Sequence, residues 1–452
     1  MKRAAEDVAS PKVRKLEVVT VEVRAVSGNC LGMFEMSPSS TIADVKAKLE
    51  EVPGRFHLVS EGSEALPEHT QLLTFEGARL ALTLVWRRKG FAYAAHVDGS
   101  LTLWDLDSRE AIHRLRCSLC QPQCPIALFV DWEKRRLLCC LEDGTLYLWG
   151  NAEATFDDSL HLLRVSKDTE MDRSGVSSKE ALAVCWSEDL VLVGMMSGCL
   201  LLWNVQSGKK MKTFRGHRSC VDVVRVCWES QMALSAGRDR LIRLWKMETG
   251  ECCVLRGHTS SVQCLLVNWE RRQAITAGLM DGLRFWSLYS RQAVQVCTHA
   301  CPEGQKLICS DVDWASERAI TASGSGILTV WDVSLFKVVW SHGRHGGDVT
   351  SVSFEPGARR CLSAGSAAVC LWDAAGISLC RIHQGGCELG CLVLDWASGW
   401  LLSGSDTVRL YAWQPERYGA LVQADLLCEL RNREMQSPTI CLAVEWREAV
   451  SV

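Results

Sequence analysis

Residues 216–245 read GHRSCVDVVRVCWESQMALSAGRDRLIRLW. The segment holds a Gly-His pair, an apolar strand from Val221 to Trp228, a small-residue strand from Met232 to Gly237, a turn carboxylate at Asp239, and a last strand ending in Trp245. The next stretch repeats the plan with Gly257-His258, Val262 to Trp269, Ala274 to Gly278, Asp281, and Leu283 to Trp286. Looser copies on both sides place the closing aromatic at Trp104, Trp149, Trp203, Trp331, Trp372 and, as the weakest copy, Tyr411. Successive closing aromatics are 45, 54, 42, 41, 45, 41 and 39 residues apart.

A period of roughly 40–45 residues built from short strands, with no 3.6-residue spacing, predicts a propeller of four-stranded blades. The fold class is therefore mainly β. Thr439 to Trp446 is a first strand with no second strand after it, and the first copy, beginning at Lys89-Gly90-Phe91, lacks a first strand of its own. The economical arrangement is that the last segment completes the first blade and leaves no free sheet edge. Eight blades are expected on this reading, and seven with a peripheral copy is the alternative.

Composition is that of an ordinary globular protein: 452 residues, 48% hydrophobic and 23% charged. A net charge of -3 provides no global field toward nucleic acid or an anionic membrane. No run reaches the ~18 apolar residues of a membrane span, and the charged N-terminus lacks a signal peptide's apolar segment. A cytoplasmic location is expected, and a nuclear one stays open: Lys2-Arg3 followed by Lys12, Arg14 and Lys15 fits either a bipartite import signal or a solvated basic tail. The 23 cysteines fall mostly in strands, where a reduced thiol behaves as a small hydrophobe.

Before the repeats, residues 1–16 read as a disordered tail. Val19, Val21 and Val23 alternate as a strand, Ser27-Gly28-Asn29 form a turn, and Leu31 to Met36 return. Thr41 to Leu49 form a helix with Ile42, Val45 and Leu49 on one face and Ser40 or Thr41 as N-cap. Leu58-Val59, Leu66 and Leu80 to Trp86 supply further strands. This order resembles the ubiquitin-like family, which implies a small α+β β-grasp domain over residues 17–88. The resemblance places Val26, Val59 and Val85 where that family gathers an apolar recognition patch; ordinary half-buried strand residues are the competing reading. No terminal Gly-Gly follows Arg88, so the segment is expected to be a fused docking domain or a cap, with ubiquitin or proteasome components as its partners.

The recurring Gly-His and Trp landmarks, with Trp331-Asp332 and Trp372-Asp373, resemble the WD-repeat family over residues 89–452. The resemblance implies a buried network within each blade, matched here by His217, Ser235, Asp239 and Trp245. A second set is His258, Thr276, Asp281 and Trp286, with Asp281 one residue closer to its Trp than the pattern expects. Elsewhere Asp98 and Asp143 keep the turn carboxylate, while Ser197, Ser325 and Ser366 replace it. A catalytic Ser-His-Asp reading is disfavoured, because the Ser lies mid-strand and the set recurs with the blade period.

No phosphate loop, zinc-protease or calcium-loop pattern occurs. Cys117, Cys120 and Cys124, with His113 nearby, have ligand-like spacing but no second Cys-x-x-Cys to complete a tetrahedral set. A polar insertion over residues 166–175 and the loop residues Arg218, Arg238, Met280 and Arg344 fall on the face of the Gly-His turns, which the resemblance makes the docking surface. The expected function is a non-catalytic scaffold that holds proteins or peptides on the propeller, with no cofactor. A ubiquitin-ligase substrate receptor is an alternative, weakened because no Trp-Asp-x-Arg follows Trp104, Trp331 or Trp372. A metal- or redox-responsive protein acting through Cys117, Cys120 and Cys124 is another.

Overall fold

A computed structural model describes residues 19–25, 30–37, 39–48, 56–60, 79–86, 90–106, 108–116, 124–150, 163–165, 175–280, 282–289, 292–297, 307–342, 345–355, 357, 360–366, 368–383, 391–396, 400–405, 408–413, 424–430 and 439–445. The chain divides into two compact units, one holding the N-terminal sheet and one spanning Phe91–Glu445.

In the N-terminal unit four strands lie in the order Cys30–Met36, Val19–Ala25, Arg79–Trp86, Phe56–Ser60. The two central strands are parallel, and each outer strand is antiparallel to its neighbour. The helix Ile42–Ala47 buries Ile42 and Val45, and the hairpin before it buries Val21, Val23 and Met36. Thr41 caps the helix, and Asp44 accepts from its backbone N–H (2.7 Å) and its hydroxyl (2.9 Å). The first of these bonds, then the second, holds the Asp44 carboxyl below its ordinary pKa. The tail 1–16, Val26, Leu49 and Leu66 lie outside the described residues.

Between Phe91 and Glu445 the described strands form eight four-stranded antiparallel sheets. Seven are contiguous in the chain, with first strands Pro125–Asp131, Leu182–Cys185, Val221–Cys227, Val262–Asn268, Leu307–Asp313, Val349–Phe354 and Cys391–Asp395. These open blades 2 to 8. Blade 1 takes Thr439–Glu445 as its first strand, beside Phe91–His96, Ser100–Asp105 and Glu110–Arg116. The seven-blade alternative is thus set aside, because the last strand supplies the pairing edge that the first copy lacks.

First strands pack on one another from blade 3 through blade 7 and from blade 8 through blade 1 to blade 2, and the ring closes where Thr439–Glu445 pairs with Phe91–His96. Cys441 pairs with Ala95 and Leu442 with Ala94. On the other side the Thr439 N–H donates to Ser405 O of blade 8 at 2.7 Å. Blade 8 also leaves no room there: a Cβ on Gly404 would come within 2.8 Å of Thr439 Cγ2.

The repeated aromatics close the seams between blades. Trp245 packs with Leu192, Leu200 and Phe214 of blade 3, Trp286 with Leu234 and Leu244 of blade 4, and Trp331 with Ile275 and Phe285 of blade 5. Trp372 meets Ile320 and Val330 of blade 6, and Tyr411 meets Leu362 and Val369 of blade 7. Truncating such a core aromatic costs about 3–5 kcal/mol, more than any single hydrogen bond it makes, so packing sets the period.

Turns between first and second strands share a left-handed residue: Arg135, Asp189, Gln231, Arg272 and Glu317, with φ between 48° and 56°. In four of these turns the carbonyl of that residue accepts from the residue two past the third strand's aromatic. The bonds run from Val205 to Asp189 at 2.7 Å, and from Met247 to Gln231, Leu288 to Arg272 and Val333 to Glu317 at 2.8 Å. A strained φ of about 1–2 kcal/mol is offset by satisfying one buried donor.

Buried charge ties two blades as well. Arg136 of blade 2 donates to Asp131 Oδ2 (2.8 Å), to Asp189 Oδ1 of blade 3 (2.5 Å) and to Trp186 O (3.3 Å). Its guanidinium lies over the Trp186 ring, 5.0 Å from the centroid. In blade 6, Asp311 accepts backbone N–H bonds from Val312 and from Phe354 of blade 7, both at 2.8 Å, and burial still pushes its carboxyl above the ordinary value.

Removing residues 439–452 should leave the edge of Phe91–His96 unpaired and the ring open. We expect the melting temperature to fall by roughly 10 °C or more, with aggregation on heating. A calorimetric scan with light scattering checks this; an unchanged transition would mean that the ring does not need its closing strand.

Candidate functional site

In each antiparallel blade the turn after the second strand and the turn after the fourth emerge at the same end. These turns form one face, called here the Gly-His face. Blade 4 shows how its backbone is fixed. The His217 Nδ1–H donates to Asp239, with both carboxylate oxygens 2.9 Å away. Ser235 Oγ lies 2.8 Å from His217 Nε2 and accepts the Trp245 indole N–H at 2.8 Å. With that tautomer the Ser235 proton goes to Nε2, and every member is satisfied.

Asp239 also accepts backbone N–H bonds from Arg218 (3.1 Å) and Leu241 (3.2 Å), which ties the two turns of the blade together. Burial works to raise its carboxyl. The bond from His217 and the two backbone bonds outweigh this and hold it below its ordinary value. Ser235 is fully buried, with its lone pair and its proton both engaged, so it presents no nucleophile to solvent.

In blade 5 the same geometry recurs in part. His258 Nε2 lies 2.6 Å from Thr276 Oγ1, and the Trp286 indole donates to that hydroxyl at 2.7 Å. Asp281 lies outside the described residues. Blades 6 and 7 keep the last link: Trp331 donates to Thr321 at 3.0 Å and Trp372 to Ser363 at 2.8 Å. His345 of blade 7 is fully buried, and neither ring nitrogen has a hydrogen-bond partner among the described residues. Burial holds its pKa below the ordinary 6.5, which keeps the ring neutral. The physical reason is local, since Ser366 stands where blade 4 has Asp239.

Of the loop residues expected on this face, Arg218, Arg238 and Met280 are exposed there. Arg344 and residues 166–174 of the insertion lie outside the described residues. Sequence reading passed over Arg240 and Met196, which stand exposed on the same face. Arg240 was legible in principle, because it immediately follows the turn carboxylate. At the axis, a cavity of about 280 Å³ lies between blades 1, 2, 3 and 8, lined in part by Phe129, Lys179, Leu182, Cys391 and Leu442.

Val59 and Val85 lie in the strands Phe56–Ser60 and Arg79–Trp86 of the N-terminal sheet. Cys117 and Cys120 lie outside the described residues. His113 sits in the outer strand of blade 1, and Cys124 is a half-buried free thiol that burial, then Glu142, pushes up. Among the described residues no three His, Cys, Asp or Glu side chains are grouped to hold a metal.

The WD40 family model, described as WD domain, G-beta repeat, matches residues 208–246 and 336–373. The chain carries WD40 repeats. It is 31% identical over 192 residues to the human peroxisomal targeting signal 2 receptor, an alignment covering 40% of this chain and 49% of that protein. The match thus spans about half the length of that relative. The crystal structure of the computationally designed Ika8 protein superposes with a TM-score of 0.58 at 17% identity, covering 72% of this chain and 94% of that one. This likeness concerns the fold alone.

Within the WD40 blade, Ser235→Ala would leave the Trp245 N–H and His217 Nε2 unsatisfied. Urea unfolding should show a loss of about 1–3 kcal/mol, and Ser235→Thr, the residue of blades 5 and 6, should lose much less. Asp239 has its pKa below the ordinary 3.8 in the folded state, so its contribution is complete above that value and is lost as pH falls below it. Acid titration of stability should therefore be shallower in Asp239→Asn than in the wild type, and equal slopes would count against the network.

Proposed function

We propose that this chain is a non-catalytic interaction scaffold whose propeller holds proteins or peptides on the Gly-His face. The observation that carries the reading is the division of labour in the blades. Closure, seams and hydrogen-bond networks fix the frame, while the side chains of Arg218 and Met280 point out of it with no structural task that needs their exposure. Exposed Arg and Met on a rigid scaffold are the residue types that interfaces favour. Similarity to a protein named as a targeting-signal receptor supports a receptor form of the same reading, in which the held partner is a peptide segment.

We further propose that residues 17–88 form a ubiquitin-like domain that links the propeller to ubiquitin or proteasome machinery in the cytoplasm or nucleus. The parallel central pair of the N-terminal sheet, its strand order and the helix that follows the first hairpin support this. Val26, Val59 and Val85 are the residues assigned to the docking patch.

Partners captured from lysate by the intact chain and by Val59→Asp, both checked by melting, separate these parts. Ubiquitin or proteasome components should be lost with the variant, while other partners stay. An unchanged list would remove the docking role, and an empty list from the intact chain would remove the scaffold reading itself.

A further inference from the structure

Around Asp239 the fold gathers four arginines and, among the described residues, gives a carboxylate to one of them, Arg238. The two turns joined by Asp239 carry Arg215, Arg218, Arg238 and Arg240, all exposed, and the only acids among them are Asp222 and Asp239. Asp239 is filled by His217 and two backbone N–H groups. Asp222 is buried, with Oδ1 3.5 Å from Arg238 Nε. Among the described residues no carboxylate pairs with the side chains of Arg218 or Arg240. On a chain of net charge -3 this is a local reversal of sign.

An apolar neighbour sits beside this cluster. The turn between the second and third strands of blade 3 presses on the 217–219 loop so closely that a Cβ on Gly198 would lie 2.5 Å from His217 O and 2.9 Å from Ser219 O. That turn carries Met196, 38% exposed, and its Met195 carbonyl accepts from the Val221 N–H at 3.1 Å. On the matching turn of blade 5, Met280 is 53% exposed, with its backbone N–H on Ser260 Oγ at 3.0 Å. Methionine presents a polarizable, adaptable apolar contact.

Resting on the scaffold reading above, we propose that the Gly-His face of blades 3 to 5 binds an acidic peptide segment. Its Asp or Glu side chains pair with Arg218 and Arg240, and an apolar side chain between them packs on Met196 or Met280. Guanidinium forks pair with carboxylates through charge-assisted bonds, and partnerless arginines have the least to give up on binding. Single-stranded nucleic acid is the poorer fit, because the only aromatic rings in residues 195–198, 215–220, 238–241 and 256–261 are His217 and His258, both buried and unable to stack on a base.

The test is selection of a phage-displayed random twelve-residue peptide library on the full chain. Fluorescence anisotropy of the best peptide follows, on the wild type and on Arg218→Glu/Arg240→Glu. Selected peptides should be rich in Asp and Glu with interspersed apolar residues, bind more weakly as salt rises, and lose at least tenfold in affinity on the double variant. Lys134→Glu, on the opposite face, should change nothing, and a melting curve confirms that each variant is folded.

The acidic-peptide assignment is overturned if the selected peptides show no acidic excess, if the double variant binds them as well as the wild type, or if nothing is enriched. It is likewise overturned if a fifteen-nucleotide RNA, or the same peptide with phosphoserine for Glu, binds more than tenfold tighter. In each case the scaffold reading stands or falls separately, by whether the intact chain captures any partner.

Discussion

Each closing tryptophan must do two things at once: fill a seam with the preceding blade and find an acceptor for its indole N–H in a place water does not reach. The first is supplied by shape and volume. In blades 4 to 7 the second is met by a hydroxyl at one position, two residues beyond the tryptophan's cross-strand partner. Trp245 pairs with Ala233 and donates to Ser235; Trp286 pairs with Ala274 and donates to Thr276; Trp331 pairs with Ala319 and donates to Thr321. Trp372 pairs with Cys361 and donates to Ser363. Erosion of the repeat follows the same rule. In blade 1 Trp104 pairs with Ala92, so Ala94 holds the hydroxyl's position and the indole N–H has no partner among the described residues. Blade 8 shows the reverse, since Ser403 Oγ has no partner among the described residues where Tyr411 replaces the tryptophan.

These pairings explain what could be read from the sequence. The blade period was legible because the aromatic is large and its seam admits few substitutes. Ring closure was legible because Thr439 to Glu445 had the pattern of a first strand and no successor. The network of blade 4 was legible from four residue types at fixed offsets. Other features leave no such mark. Arg136 follows Glu133, Lys134 and Arg135 and reads as the end of a solvated charge run, yet its side chain is buried between two blades on Asp131 and Asp189. The left-handed turn residues are Arg, Asp, Gln, Arg and Glu, none of which announces a positive φ as Gly would. Their conformation is imposed by the neighbouring third strand, which needs the carbonyl they turn toward it.

Unequal blades have a physical consequence for the ring. A fully satisfied network, as in blade 4, fixes both turns of that blade at once, because Asp239 bonds to each. Blade 7 has the histidine without the carboxylate, and His345 stays neutral in a buried position with no hydrogen-bond partner on either ring nitrogen among the described residues. Its third-strand Trp372 and the seam under it carry the blade instead. The Gly-His face is therefore most sharply defined where the network is complete, on blade 4, which also carries the exposed arginines.

That coincidence separates two kinds of residue on a single turn. Asp239 spends its acceptor capacity on His217 and on backbone N–H groups, so it cannot also neutralise the arginines on either side of it. A carboxylate that holds the fold is thereby withdrawn from the surface, and Arg218 and Arg240 remain uncompensated because their neighbour is occupied. A change at Asp239 acts on the frame first and on any partner only through it, because the 217–218 turn loses its anchor. A change at Arg218 or Arg240 removes no bond on which the blade depends. The same few residues thus allow surface charge to be altered without disturbing the ring, which is what a scaffold needs if its partners are to be chosen by loops while its frame is kept.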